Sequence, residues 1–450
     1  MSILLQNARV FGCEDCTYIY IEHGIIEKIG SRAMPSATFN LDMNNALIAP
    51  GFCDTHTHLE NIALMHDTMD LTGMTRDEVL QKVSENCNKR RLIVGRGWDE
   101  SLWKLPTYIT TSELDDACPN SEVILIREDG HIAVANSKLM KKYGMKGEVI
   151  RENDLNHLIS ELGLFNNIDL DFAQSYAISK GITCVHDFAT HNTFLKYFNM
   201  QRNGKLKIRI FANFYSESYE RIKSVGLYTG FGDEFLRIGA LKIFADGSIG
   251  AKTAATEYKD GTVVKPFLNR NNIKSIVSDA NSSGIHVFTH AIGNYAIDEV
   301  VAGYGNSEGN RIEHFELADK KHMVEGLKVS VQPNFLKWAK KGGLYHRMLS
   351  HKWFMKNNQY RNMVESGLQI LFGSDCMPLN PLFGINMVVN EDKERKLSFE
   401  EAIKAYTIGA KYMSPKLGEI KKGYKADLVA IKNNEILLTM IDGVIRYRYG

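Results

Sequence analysis

The chain lacks any excess of charge. Its 450 residues carry 54 Lys and Arg against 53 Asp and Glu, a net charge of +1. Such a balance gives no field to attract nucleic acid or an anionic membrane surface. Long apolar runs are absent as well, and no uninterrupted stretch is long enough to span a bilayer. The opening MSILLQNARVFG has no basic segment ahead of a long apolar core, so no secretory signal is expected. Low-complexity tracts and Pro/Ser linkers are missing. No Gly-x-Gly-x-x-Gly or Walker-type loop follows any strand-like segment, which lowers the case for an open, doubly wound nucleotide-binding sheet. Cysteine is scarce: seven residues, an odd number, fit reduced thiols in a cytoplasm better than a disulfide framework. The expected setting is therefore cytoplasmic. The expected partner is a small-molecule substrate, with no nucleic acid and no membrane, and a homodimer is left open.

What is present describes an ordinary globular protein, with 44% hydrophobic and 24% charged residues. The length allows one large barrel or two to three domains. Near the start, YIYIEHGIIEKIG alternates apolar and polar residues around His-Gly. Near the end, ILLTMIDGVIRYR does so around Asp-Gly, a hairpin signal. Strands at both termini predict a small composite β-sandwich domain from residues 1–49 and 416–450, with the middle inserted into it. That middle, residues 50–415, repeats short apolar strands followed by helical stretches. The strand candidates are ALIAPGFCDTHTH, GITCVHDF, KIRIFANFY, RIGALKIFAD, GIHVFTHA, NRIEHF, KVSVQPNF and LQILFGSD. Eight βα units predict a (β/α)8 TIM-type barrel of α/β class. The long gap after the first strand predicts an inserted subdomain at about 75–150, lying over the barrel mouth.

Within PGFCDTHTHLE, Asp54, His56 and His58 alternate, so an extended strand presents them on one face. Two imidazoles so placed reach one divalent cation. A polar strand end is the plainer alternative for this motif alone. Cys53, one residue out of phase, turns away and is read with Cys376 as packing. Other strands end in chemistry too: Lys242 in the fourth, His290 in the fifth, His314 in the sixth and Asp375 in the eighth. A barrel brings its C-terminal strand ends to one mouth. Lys242 invites two readings. It either pairs with Asp246 or another acid, or, as a neutral amine, takes up carbon dioxide and bridges two metals as a carbamate.

The stretches PGFCDTHTHLE, GRGWDE, REDGHIAVANS, LKIFADGSIGAKTA, HAIGNYAID, RIEHFE, SVQPNF, FGSDCMPLNP and GYKADLVAI make the chain resemble the amidohydrolase superfamily. The likeness is nearest to its amidohydrolase-3 branch, which includes N-substituted formamide deformylases. The resemblance implies a metal-dependent hydrolase with His56 and His58 on one metal, His290 and His314 on the other, carbamylated Lys242 between them and Asp375 as the catalytic carboxylate and a further metal ligand. Zinc suits these donors, and so do manganese, iron and cobalt. The sequence departs from the family pattern at Asn294 and Tyr295, and Cys376 and Met377 intervene before Pro378. Asp54 is expected to orient the histidines or to hold the loop. Arg127, Asp129, His131 and Trp98 are expected near the substrate, Trp103 in a pocket wall or the core, and His186 in the mouth or the structure beneath it. Cleavage of an amide, formamide or cyclic amide is the leading expectation. A mononuclear deaminase and a metal-free scaffold protein are the alternatives.

Overall fold

The computed structural model describes residues 2–166, 168–305 and 307–449. Eight parallel strands form one sheet: β1 (Phe52–Thr57), β2 (Ile182–Ala189), β3 (Arg209–Phe214), β4 (Leu236–Phe244), β5 (Val287–Ala291), β6 (Arg311–His314), β7 (Lys328–Val331) and β8 (Gln369–Phe372). They neighbour one another in chain order. The sheet curls until its ends meet. The Asp375 amide donates to the His56 carbonyl at 2.8 Å, and the Thr55 hydroxyl donates to the Phe372 carbonyl at 3.0 Å. Gly373 permits that approach, since a Cβ there would lie 2.5 Å from the His56 nitrogen. The architecture is the (β/α)8 barrel that the alternating pattern predicts.

The strands are buried on both faces, as a parallel sheet clad in helices requires. Outside, helices such as Arg270–Ser282 and Asn294–Tyr304 lay Ile273, Val277, Ile297 and Val300 against the sheet. Inside, the barrel floor is a separate cluster. Cys53, Cys184, Phe188, Phe211 and Phe288 pack on Ala410, Met413 and Leu417 from the segment after the last barrel helix. The barrel is therefore plugged below and opens only at the C-terminal strand ends.

Both chain ends fold together beside it. One sheet joins Ile25–Gly30, Tyr18–Glu22, Ser2–Gln6 and Phe39–Asp42. A second joins Arg9–Val10, Leu47–Pro50, Leu428–Lys432, Glu435–Ile441 and Val444–Arg448. The two share a core that includes Ile3, Ile19, Ile26, Ile48, Leu428 and Met440. Both hairpins turn where the dipeptides indicate, with positive φ at His23 (49°) and Gly24 (79°), and at Asp442 (54°) and Gly443 (72°). Between β1 and β2, Met69–Asp70, Leu92–Trp98, Glu122–Arg127, Ile132–Ala135 and Val149–Arg151 form a further five-stranded sheet. Among the described residues no helix is long and apolar enough to cross a membrane.

The cysteines correct the sequence reading. Cys13 and Cys16, a Cys-x-x-Cys pair, form one disulfide, and Cys87 and Cys118 another, with Cα separations of 5.5 and 5.3 Å. Cys87 and Cys118 each end a helix, Arg76–Asn86 and Thr111–Ala117. Helix packing brings together two ends that lie 31 residues apart in sequence. Only Cys53, Cys184 and Cys376 remain thiols.

Candidate metal centre

The barrel mouth gathers imidazoles from three strand ends. The ring centroids of His56 and His58 are 5.6 Å apart, those of His56 and His314 4.7 Å, and those of His290 and His314 4.4 Å. Asp375 closes the group, its Oδ1 lying 3.2 Å from His58 Nε2 and 3.7 Å from His56 Nε2. His56, His58 and Asp375 offer ligand atoms that all lie within 4.8 Å of one another. Lys242 comes up on β4 beside them. Its side chain is 3% exposed, and its amine has no hydrogen-bond partner. Two aromatic rings face it, Phe188 at 4.3 Å and Phe244 at 5.2 Å. The pairing with Asp246 does not form.

Partners outside the group aim three of the four rings. His56 Nδ1–H donates to Glu313 Oε2 at 2.6 Å. His314 Nδ1–H donates to Gln332 Oε1 at 2.8 Å, and His290 Nε2–H donates to the Gly247 carbonyl at 3.1 Å. Each of these three rings is left with one bare nitrogen, the form in which imidazole binds a metal. The backbone is also held in place. His314, Phe315, Asp375 and Cys376 take φ of 73°, 53°, 53° and 60°, a left-handed region that non-glycine residues rarely enter.

Electrostatics follow from burial. It holds His56, His290 and His314 well below the ordinary imidazole value, helped by the Lys242 charge at all three and by the neighbouring imidazoles at His314. It also depresses the Lys242 amine to about 8. At His58 burial acts in the same sense, but the Asp375 carboxylate outweighs it and the value rises. Burial would raise Asp375, yet His56, His58 and Lys242 prevail and lower it.

Asp54 does not orient the rings. Its Oδ1 accepts the main-chain N–H groups of His56 and Ser374, at 3.2 and 2.9 Å, so it ties β1 to the loop after β8. Asp246 has a similar task, accepting the N–H groups of Ala255, Ile292 and Gly293 at 2.7–3.0 Å. His186 lies beneath the mouth, donating from Nε2 to the Gly409 carbonyl at 3.0 Å and accepting from Arg311 at Nδ1. Cys53 and Cys184 approach His186 closely enough to form a second donor group. Both ring nitrogens of His186 are already engaged, and the neighbouring Arg311 charge disfavours a cation there.

Above the histidines lies a narrow cleft of about 40 Å³, faced by His290, His314 and Asp375. Arg127, Asp129 and His131 reach it from the inserted sheet. Arg127 is not free to grip a substrate anion. It donates to Glu100 at 2.7 Å, to Asp129 at 2.5 Å and to Asp99 at 3.1 Å. His131 pairs with Glu152 at 2.9 Å; burial opposes its charge, but Glu152 and Asp129 raise it to about 9. Trp98 and Trp103 do not reach the cleft. They stack on each other at 5.8 Å in the core of the insert. The tryptophan that does line it is Trp338, beside Phe335, Tyr345 and Glu316. Burial pushes the Glu316 carboxyl to about 8.

Sequence reasoning passed over Arg311, Glu313, Gln332 and Glu316. All lie within or beside the quoted stretches RIEHFE and SVQPNF. An Arg-x-Glu alternation on a strand that ends in a ligand-type histidine was the available signal.

Fold and site together define a metal-dependent type of hydrolase scaffold, and the comparisons give it a family. The Amidohydro_3 model of the amidohydrolase family matches residues 41–440, and the chain belongs to that family. It is 26% identical to Protein LONG AFTER FAR-RED 3 of Arabidopsis thaliana, covering 96% of this chain and 87% of that one. It is 24% identical to N-substituted formamide deformylase of Arthrobacter pascens, covering 94% and 92%. The fold matches an uncharacterized metal-dependent hydrolase from Pyrococcus furiosus with a TM-score of 0.77 at 23% identity, covering 96% of this chain and 100% of that one. A second such structure, from Pyrococcus horikoshii, gives a TM-score of 0.78 at 23% identity, covering 100% of each.

Proposed function

We propose that this amidohydrolase cleaves the carbon–nitrogen bond of an amide, formamide or cyclic amide at a centre of two divalent metals, zinc in the first place. The observation that carries the reading is the unpartnered Lys242 amine amid a ring of inward-facing histidines. Burying an amine without a partner is unfavourable, and burial lowers this one to about 8, so a fraction of it is neutral near pH 7. A neutral amine adds to carbon dioxide, forming an N–C bond and releasing one proton. The carbamate so made is a carboxylate in effect and suits a bridging position. His56 and His58 would hold one cation, His290 and His314 the other, with Lys242 between them and Asp375 at the edge. A bound divalent cation supplies Lewis acidity to a water and to a carbonyl oxygen.

The chain's own residues do the rest. Asp375 accepts the proton of the attacking water at its carboxylate and returns it to the leaving nitrogen, which cannot depart as an amide anion. Glu313, Gln332 and the Gly247 carbonyl keep the rings from turning. The cleft offers Ile249, Ile292, Phe335, Trp338 and Leu344 as apolar wall. Its cations Arg127 and His131 are engaged with carboxylates. That polarity favours a substrate with an apolar substituent and no carboxylate on the part that enters. The formamide deformylase relative supports an N-formyl amine as the first compound to try.

The test combines metal analysis with a panel of N-formyl and N-acyl amines. Two metal equivalents per chain, turnover lost on chelation and turnover regained on adding zinc are expected. Full activity with one equivalent would point to the single-metal deaminase instead. Alanine at His56 or Asp375 with every property unchanged would leave a scaffold protein.

A further inference from the structure

We infer that Arg311 and Glu313 work as a positioning pair that fixes which nitrogen of His56 faces the barrel mouth. The role in metal binding rests on the centre proposed above; the tautomer assignment does not. Arg311 and Glu313 stand two residues apart on β6, and alternate side chains of a strand share a face. Both are 0% exposed, inside the barrel.

A guanidinium has donors only. Arg311 spends them on three acceptors: Glu313 Oε1 at 2.6 Å, the Thr55 carbonyl at 2.9 Å and His186 Nδ1 at 2.9 Å. Its Cζ also sits 3.9 Å from the centre of the Phe288 ring. His186 Nδ1 must therefore be the bare nitrogen, with its proton on Nε2 toward the Gly409 carbonyl. Glu313, held by one oxygen, presents the other to His56 Nδ1 at 2.6 Å. That ring nitrogen must carry the proton, since a lone pair would meet a carboxylate oxygen there. His56 Nε2 is left bare and points toward Asp375. One guanidinium thus sets two imidazoles in opposite tautomers, one directly and one through a carboxylate.

His314 and His290 are aimed by uncharged acceptors, an amide and a main-chain carbonyl. His56 alone of the three donates to a carboxylate. A carboxylate partner raises the basicity of a ligating ring more than a neutral one does, and such partners are worth about 10- to 100-fold in metal affinity. The His56–His58 end of the centre would therefore be the one whose aim depends on a hydrogen-bonded carboxylate.

The experiment follows the ring nitrogens of histidine-labelled full-length protein by ¹⁵N NMR, metal-free and with zinc. In the wild type the His56 proton should sit on Nδ1 and the His186 proton on Nε2. Glu313→Gln should release the His56 tautomer, leave that of His186 in place, and lower zinc affinity at the His56–His58 end about 10- to 100-fold. The proposal is overturned by a wild-type His56 that carries its proton on Nε2. It is equally overturned by a folded Glu313→Gln protein with unchanged tautomer and zinc affinity. Should that variant not fold, the wild-type spectrum decides alone. The assigned tautomers in a protein that binds no zinc would uphold the pair's positioning role and remove the metal centre instead.

Discussion

A buried amine that touches no acceptor costs about 1–3 kcal/mol relative to a satisfied or apolar group. Lys242 is such an amine, and it faces the rings of Phe188 and Phe244. A fold selected for stability alone would have a methionine there, which fills much the same space. In metal-free protein, Lys242→Met should therefore hold or raise the unfolding free energy by about 1–3 kcal/mol in urea titration. In metal-loaded protein the same change should abolish turnover and lower the metal content. A Lys242→Met protein less stable than the wild type when metal-free would mean that the amine has a structural role we have not identified. Asp375 gives a second test. Asn keeps its shape and loses its proton acceptor, so Asp375→Asn should slow turnover about 10²- to 10⁴-fold. Matched circular dichroism spectra would exclude unfolding as the reason.

At the scale of elements, two helix starts use one glutamate twice. Glu113 completes the capping box of Thr110, and Glu401 that of Ser398. Each also pairs with an arginine from elsewhere: Glu113 with Arg76, Glu401 bidentately with Arg361. The arginine partner, foremost, with the cap bonds, draws each carboxyl down to about 2. A carboxyl lowered in the folded state stabilises above its unfolded value near 4.5, and that contribution is lost as pH falls toward 2. Both side chains are about one-third exposed, at 33% each, so solvent screening limits the effect. Glu113→Gln should cost about 1 kcal/mol at pH 7 and much less near pH 2, read from urea midpoints at the two pH values. These starts were legible as Thr-x-x-Glu and Ser-x-x-Glu, and so were the eight strands and both hairpins, because local pattern and turn chemistry fix them. The partners Arg76 and Arg361 were not, since 37 and 40 residues separate them from their glutamates. The same reason hid the Cys87–Cys118 disulfide. At the site, the ligand-type residues announced themselves by residue type at strand ends. The carboxylates that engage Arg127 were hidden, because the three come together only when the insert folds.

At the scale of the molecule, one buried ion pair joins the barrel to the sheets built from the chain ends. Arg209 on β3 is 0% exposed and donates to both oxygens of Asp427, at 2.7 and 2.9 Å, while its third nitrogen donates to the Glu234 carbonyl at 2.7 Å. Asp427 sits just before the strand Leu428–Lys432 and also accepts the Asp442 amide at 2.8 Å. Around the pair the joint is apolar: Val429, Ile431, Ile436 and Ile441 belong to the barrel's own core cluster. Removing one charge strands the other in that surrounding, and breaking a buried pair this way costs about 3–5 kcal/mol. Asp427→Asn should show that loss in urea unfolding. Replacing both partners, Arg209→Met with Asp427→Leu, leaves no orphan charge and should recover a large part of it. If the joint is as continuous as the shared core implies, both variants should unfold in one transition, with tryptophan fluorescence and circular dichroism reporting the same midpoint. Two separate transitions in Asp427→Asn would mean that the sheets at the chain ends unfold independently, with the ion pair as their main tie to the barrel.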